Sequence, residues 1–152
     1  MTRFITQLQV EPIIGTTKRK LLSPLVYDDE LLGAITIPRD YVTDYASIPK
    51  WIPRWFLDQD GPLIRIASVV HDFGYTRGGR YRYGVRLSRE QVDALFERIM
   101  LRMIEEYLPV LVKNGPAADE AHPIAKQRYT LAAKAAHKAV RIFGGSHWSP
   151  RG

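Results

Sequence analysis

The sequence predicts an α+β fold: a small N-terminal antiparallel sheet of two or three strands packed with a C-terminal bundle of about three helices. Two observations carry this. The first 37 residues hold short apolar or alternating runs broken by acidic and turn-forming residues, the pattern of strands. From Pro62 onward the apolar residues recur every three or four positions, the period of a helix. A chain of 152 residues fits one domain and buries a core without covalent staples. The sheet is expected over about residues 1–40, a Pro/Trp loop over about 41–61, the helical part over about 62–145, and a short tail over 146–152.

In the N-terminal part, "LLSPLVY" (21–27) and "LLGAITI" (31–37) read as two strands of a hairpin turned by the acidic "DDE". "FITQLQV" (4–10) alternates and reads as a third strand. Prolines at 38, 49 and 53 limit regular structure in the next stretch, which Trp51, Trp55 and Phe56 would pin as an ordered loop. The first helix spans about Pro62–Tyr75, with Leu63, Ile66, Ala67 and Val70 on one face. The second starts at Ser88, where "SREQ" is a capping box, and carries the stripe Val92, Leu95, Phe96, Ile99, Met103. "NGPAADEAHP" (114–123) reads as a loop. The third helix covers about Ile124–Phe143, with Tyr129, Ala132, Ala133, Ala136, Val140 and Phe143 sharing a face, and "GG" at 144–145 as its stop.

Composition narrows the chemistry. No cysteine is present, which excludes disulfides, thiolate metal sites, iron–sulfur clusters and thiol catalysis. No run of about 18 apolar residues exists, so no membrane span is expected, and the N-terminus does not read as a signal peptide. The net charge of +6 is compatible with an acidic or nucleic-acid partner, and equally with plain solubility.

The residues able to carry chemistry are few. His71 and Asp72 stand side by side at the end of the first helix; the helical period puts His71 at the margin of the core stripe and Asp72 further out. Asp93 lies near the core margin of the second helix, on the side of Phe96 and Met100, where a first-turn acid also complements the helix end. Asp44 and Ser47 sit in "TDYASIP", where such residues often form turns. Converging, His71, Asp72, Asp93 and Asp44 offer one nitrogen and three carboxylates, a set suited to a divalent metal such as Zn²⁺, Mn²⁺ or Mg²⁺. Such a metal would generate hydroxide for attack on a phosphoester or amide. A Ser47–His71–Asp triad ranks low, because no nucleophile-elbow motif surrounds Ser47. "YTRGGRYRYGVRLSR" (75–89) interleaves arginines with tyrosines; Tyr75, Arg77, Arg80 and Arg82 are the expected substrate-binding residues, through phosphate or stacked bases. His137, at the margin of the third helix's face, reads as a second imidazole or as a satisfied interface histidine.

"TDYASIPKW", "HDFGY", "LSREQVDALFERIM" and a closing helix ending in "AVRIFGG" occur in that order. Together they resemble a family of phage and prophage proteins, domain of unknown function 1353, over about residues 30–145. The loop at 75–87 and the stretch 104–123 are longer than the compact family pattern. The resemblance implies a phage or prophage origin, hence the host cytoplasm or a virion as location. It also implies that Asp44, Ser47, His71, Asp72 and Asp93 share one site. It implies no activity. The chain is similar to the His-Asp phosphohydrolases in having an HD step on a helix, but residues 1–70 contain no histidine to match theirs upstream.

The leading expectation is a small metal-dependent hydrolase. The alternative is a virion or tail component, or an inhibitor of a host protein, in which the His/Asp cluster is a structural network and the 75–89 loop and the tail "SHWSPRG" are contact surfaces. A third is a nucleic-acid-binding module using that loop.

Overall fold

The computed structural model describes residues 3–4, 6–45, 62–82, 84–114 and 122–151. The expected Pro/Trp loop with Trp51, Trp55 and Phe56, and Ser47 with it, lies outside the described residues. Six short strands precede three helices: β1 Arg3–Phe4, β2 Val10–Pro12, β3 Arg19–Leu21, β4 Leu25–Asp29, β5 Gly33–Ile37, β6 Val42–Thr43, α1 Pro62–Thr76, α2 Arg89–Asn114 and α3 His122–Phe143. The fold is α+β. Two three-stranded antiparallel sheets form, ordered β1-β4-β5 and β2-β3-β6.

Two local interactions divide the strands more finely than the apolar runs predict. "LLSPLVY" is not one strand: Leu21 ends β3 and Leu25 begins β4, with Ser23-Pro24 between them, and proline has no N–H to give a ladder. "FITQLQV" is not one strand either. The Thr6 hydroxyl donates to the Pro24 carbonyl (3.0 Å) and accepts from Val26 N–H (2.8 Å), standing in for backbone pairing. The β4–β5 hairpin pairs Leu25 with Ile37 and Tyr27 with Ile35, so its buried residues alternate as a one-sided sheet requires.

The hairpin turn falls at residues 30–32, two residues later than "DDE" suggests, because Asp29 belongs to the core. Its carboxylate takes both prongs of the Arg98 guanidinium (3.0 Å each), the Tyr27 hydroxyl, and the N–H groups of Leu31 and Leu32. Burial alone would push this carboxyl up; the Arg98 fork, then Leu31 and Tyr27, hold it below its ordinary value. This bidentate bridge ties the sheet to α2.

Helix α1 is central. From Ile64 to Tyr75 only Arg65 and Asp72 are not buried. The capping box at α2 forms as expected: Gln91 N–H donates to Ser88 Oγ (3.2 Å), and Ser88 N–H donates to Gln91 Oε1 (2.8 Å). Helices α2 and α3 run antiparallel, in a register marked by Asp93–Arg141 and Glu97–His137. The small Ala125, Ala133 and Ala136 are fully buried and let α3 approach closely. Phe143 does not join that face and is 71% exposed. The buried Gly144 takes its place, against the Tyr75 ring, where an added Cβ would lie 2.7 Å from the hydroxyl. Glycine is required here by space alone.

Removing Arg98 leaves a buried carboxylate without its cation. Arg98→Ala is expected to cost about 3 kcal/mol or more in urea unfolding, whereas Arg39→Ala, from a pair with both partners about 70% exposed, should change stability by less than about 0.5 kcal/mol.

Candidate functional site

The expected cluster assembles in two parts. The first is buried. His71 lies on the wall of α1 that faces α2 and is only 2% exposed, deeper than the margin position its helical angle predicts. Asp93, one turn into α2, is fully buried. His71 Nε2–H donates to Asp93 Oδ1 at 2.7 Å, and the Tyr75 hydroxyl donates to the same oxygen at 2.6 Å. Arg141 Nη1 donates to Asp93 Oδ2 at 2.6 Å. Behind them, Arg89 Nε donates to the Tyr75 oxygen (3.1 Å), and Arg89 Nη2 caps α3 through the carbonyls of Val140 (2.8 Å) and Arg141 (2.9 Å). The imidazole is held between the rings of Tyr75 (4.2 Å between centroids) and Phe96 (4.7 Å).

Charge states follow from these contacts. Burial alone would raise the Asp93 carboxyl; hydrogen bonds from His71, Tyr75 and Arg141 outweigh it and hold the group below its ordinary 3.8. Asp93 is therefore an anion at neutral pH and can only accept. Tyr75 is pushed up to about 12, first by burial and then by its bond to Asp93, so it stays a donor. A carboxylate that only accepts requires the imidazole to carry a proton on Nε2.

The second part lies on the half-open side of α1. Asp72 diverges from His71, as neighbouring helical residues must, and its Oδ2 accepts from the Thr43 hydroxyl at 2.8 Å. Thr43 sits on β6, set beside β3 by the pairings Arg19 with Thr43 and Lys20 with Val42. The Thr43 oxygen also accepts from Tyr45 N–H (3.1 Å), in a turn where Tyr45 adopts a left-handed φ of 55°. Asp44 lies within that turn. Segments 29 residues apart thus meet at one place. Tyr41 closes the edge: its hydroxyl bonds with Thr76 (3.3 Å), and its ring meets Phe73 edge-on at 5.2 Å. Burial, with Asp72 and Asp44 adding to it, holds the Tyr41 hydroxyl far above its ordinary range.

The four expected metal ligands do not form one shell. Among the described residues, no three His, Asp or Glu side chains come together to hold a metal. His71 and Asp93 are spent on each other, while Asp72 is directed to β6. Tyr75 likewise does not join the arginines of the following loop, because its hydroxyl serves Asp93. Arg77, Arg80 and Arg82 do gather, with Arg86, around an open pocket of about 500 Å³. His137 pairs with Glu97 (2.8 Å) at the α2–α3 interface. The tail folds back: Trp148 packs edge-on against Tyr75 at 5.3 Å, and Ser149 N–H donates to the Tyr75 carbonyl (3.0 Å).

Three members of the cluster carry no nucleophile or general base and are invisible to a search for such groups: Thr43, Arg89 and Arg141. Their signal lay inside the motifs. Thr43 precedes Asp44 in "TDYASIP", Arg89 follows the Ser88 cap, and Arg141 stands in "AVRIFGG".

A family model described as "Protein of unknown function (DUF1353)" matches residues 19–110. The chain belongs to this family. The DUF1353 match covers Thr43, Asp44, His71, Asp72, Tyr75, Arg89 and Asp93; it ends before α3, so Arg141 lies beyond it. No curated protein and no solved structure matches the chain.

Asp93→Asn is expected to lower stability at pH 7 by about 3 kcal/mol, as loss of a buried paired charge does. It should also flatten the acid limb. A carboxyl held below its unfolded value contributes fully above pH 4 or so and loses that contribution as pH falls through the folded value. Wild type should therefore lose stability steeply below about pH 4, and the variant less so, in urea titrations from pH 7 to 3.

Proposed function

We propose that the protein is a hydrolase of ester or phosphoester bonds in which His71 is the general base. The observation that supports this is the 2.7 Å bond from His71 Nε2 to the buried, ionised Asp93, braced by Tyr75. Asp93 positions the ring and stabilises the imidazolium; its lowered pKa keeps the proton on His71. In this reading the imidazole takes a proton from water, the resulting hydroxide attacks the carbonyl carbon or phosphorus, and the proton passes to the departing oxygen. Water and one ester bond are consumed, and an acid and an alcohol are released.

Asp72 and Asp44 are the residues that would hold a divalent cation. Two carboxylates completed by water suit Mg²⁺, whereas Zn²⁺ favours nitrogen or sulfur donors, which these two residues do not supply. Such a cation would polarise the carbonyl or phosphoryl bond under attack. The phage or prophage association belongs to the same proposal and rests on the motif resemblance.

A second reading is favoured by the saturation of Asp93: its oxygens take bonds from two helices besides its own. Here the network is only a clasp in a structural or inhibitory protein. A panel of p-nitrophenyl esters and bis(p-nitrophenyl) phosphate, with and without Mg²⁺, separates the two. The hydrolase reading expects turnover that falls about 10²-fold or more in His71→Asn while circular dichroism stays native, with Asp72→Asn losing any Mg²⁺ response. Equal rates in wild type and a folded His71→Asn would leave the clasp.

A further inference from the structure

Four arginines in ten residues surround one concavity. Arg77, Arg80, Arg82 and Arg86 line the open pocket of about 500 Å³, with Phe73 and Tyr81 as its apolar wall. All four are exposed. Among the described residues, no carboxylate pairs with any of them, although Arg98, Arg102 and Arg141 each have one. Guanidinium stays charged at any ordinary pH. Gathering four without a counter-charge concentrates positive potential in a hollow, and the complement is a compact, multiply charged anion. Guanidinium forks match the oxygens of phosphate in particular.

Several bonds hold the described residues of the loop in place. Tyr81, almost fully buried, donates its hydroxyl to the Val70 carbonyl of α1 (2.9 Å). Leu87 N–H donates to Gly79 O (2.9 Å), and Gly79, at φ +83°, has no room for a Cβ against the Leu87 carbonyl. Arg86 ties the loop to the tail, its Nε donating to Gly78 O (3.3 Å) and its Nη2 to Pro150 O (2.9 Å). Arg77 is held over the Phe73 ring at 5.0 Å, a cation–π contact. A prearranged site spends little binding energy on ordering itself.

Size and wall decide between ligand classes. The volume falls in the range of small-ligand sites, roughly 300–1,000 Å³. A single strand bound through its bases would need exposed aromatic faces on which they stack. Neither ring offers one: Phe73 is 4% exposed and covered by Arg77, and Tyr81 is 8% exposed.

We propose that the arginine pocket of residues 77–86 binds the terminal phosphate of a small phosphomonoester. The group belongs either to a soluble metabolite or to a lipid headgroup. The site rests on the unpaired arginines and not on the hydrolase reading, and its test measures binding without turnover.

Titration calorimetry with glycerol 3-phosphate at low salt gives the soluble arm. Sedimentation with phosphatidylcholine vesicles, with and without phosphatidic acid, gives the lipid arm. Saturable binding in either arm is expected, weakened roughly tenfold or more in Arg77→Gln/Arg82→Gln and unchanged within about twofold in Arg39→Gln, a control arginine 70% exposed elsewhere. Saturation by glycerol 3-phosphate identifies a soluble ligand, and binding only to phosphatidic acid vesicles identifies a headgroup. The proposal is overturned by no saturable binding in either arm or by equal affinities in the double variant and wild type. It is also overturned if a single-stranded oligothymidine binds through these arginines more tightly than either phosphomonoester probe.

Discussion

The structure depends on one buried carboxylate. Asp93 sits at zero exposure and receives hydrogen bonds from His71 and Tyr75 on α1 and from Arg141 on α3. An isolated buried charge is among the most costly features a fold can contain. Asp93 is therefore tolerable only while all three helices hold their positions, and it makes their arrangement specific in a way that the apolar stripes alone do not. The Asp29–Arg98 bridge plays the same part between sheet and bundle. Two anchored anions thus set where α2 lies: Asp93 against α1 and α3, and Asp29 against the sheet.

The same constraint shapes the site. Because Asp93 takes Nε2 of His71, it fixes the orientation of the ring. Because His71 turns inward to reach it, the adjacent Asp72 turns to the half-open side and meets Thr43. The His-Asp step therefore points two ways: one residue goes to the core, its neighbour to the half-buried side beside β6. The arginine loop begins a few residues on from the same helix end, and Tyr75 links the two regions, with its hydroxyl in the network and its carbonyl receiving the tail.

Much of this was legible in the sequence. The capping box at Ser88, the period of the three helices and the hairpin pairing all follow from local chemistry, and the structure follows them. The strand boundaries at Ser23-Pro24 and Thr6 departed from the apolar pattern because a missing N–H and a side-chain hydroxyl replaced ladder bonds, which hydropathy does not register. His71 was recognisable as chemically notable, but not as buried: a helix surrounded on nearly every side has no margin. The pairing of His71 with Asp93 across 22 residues, and of Asp93 with Arg141 across 48, is a tertiary fact that spacing does not encode. Reading every acid as a prospective ligand joined Asp93 to Asp72; counting the cations nearby in the motifs, Arg89 and Arg141, separates them.

The central claim is that Asp93 holds His71 with its proton on Nε2. Nitrogen-15 NMR of the imidazole at neutral pH, with the signal assigned by comparison with His71→Asn, tests it most directly. The account predicts a protonated Nε2, with its signal disturbed in Asp93→Asn. A proton on Nδ1 with Nε2 bare, or a spectrum indifferent to Asp93→Asn, would contradict it.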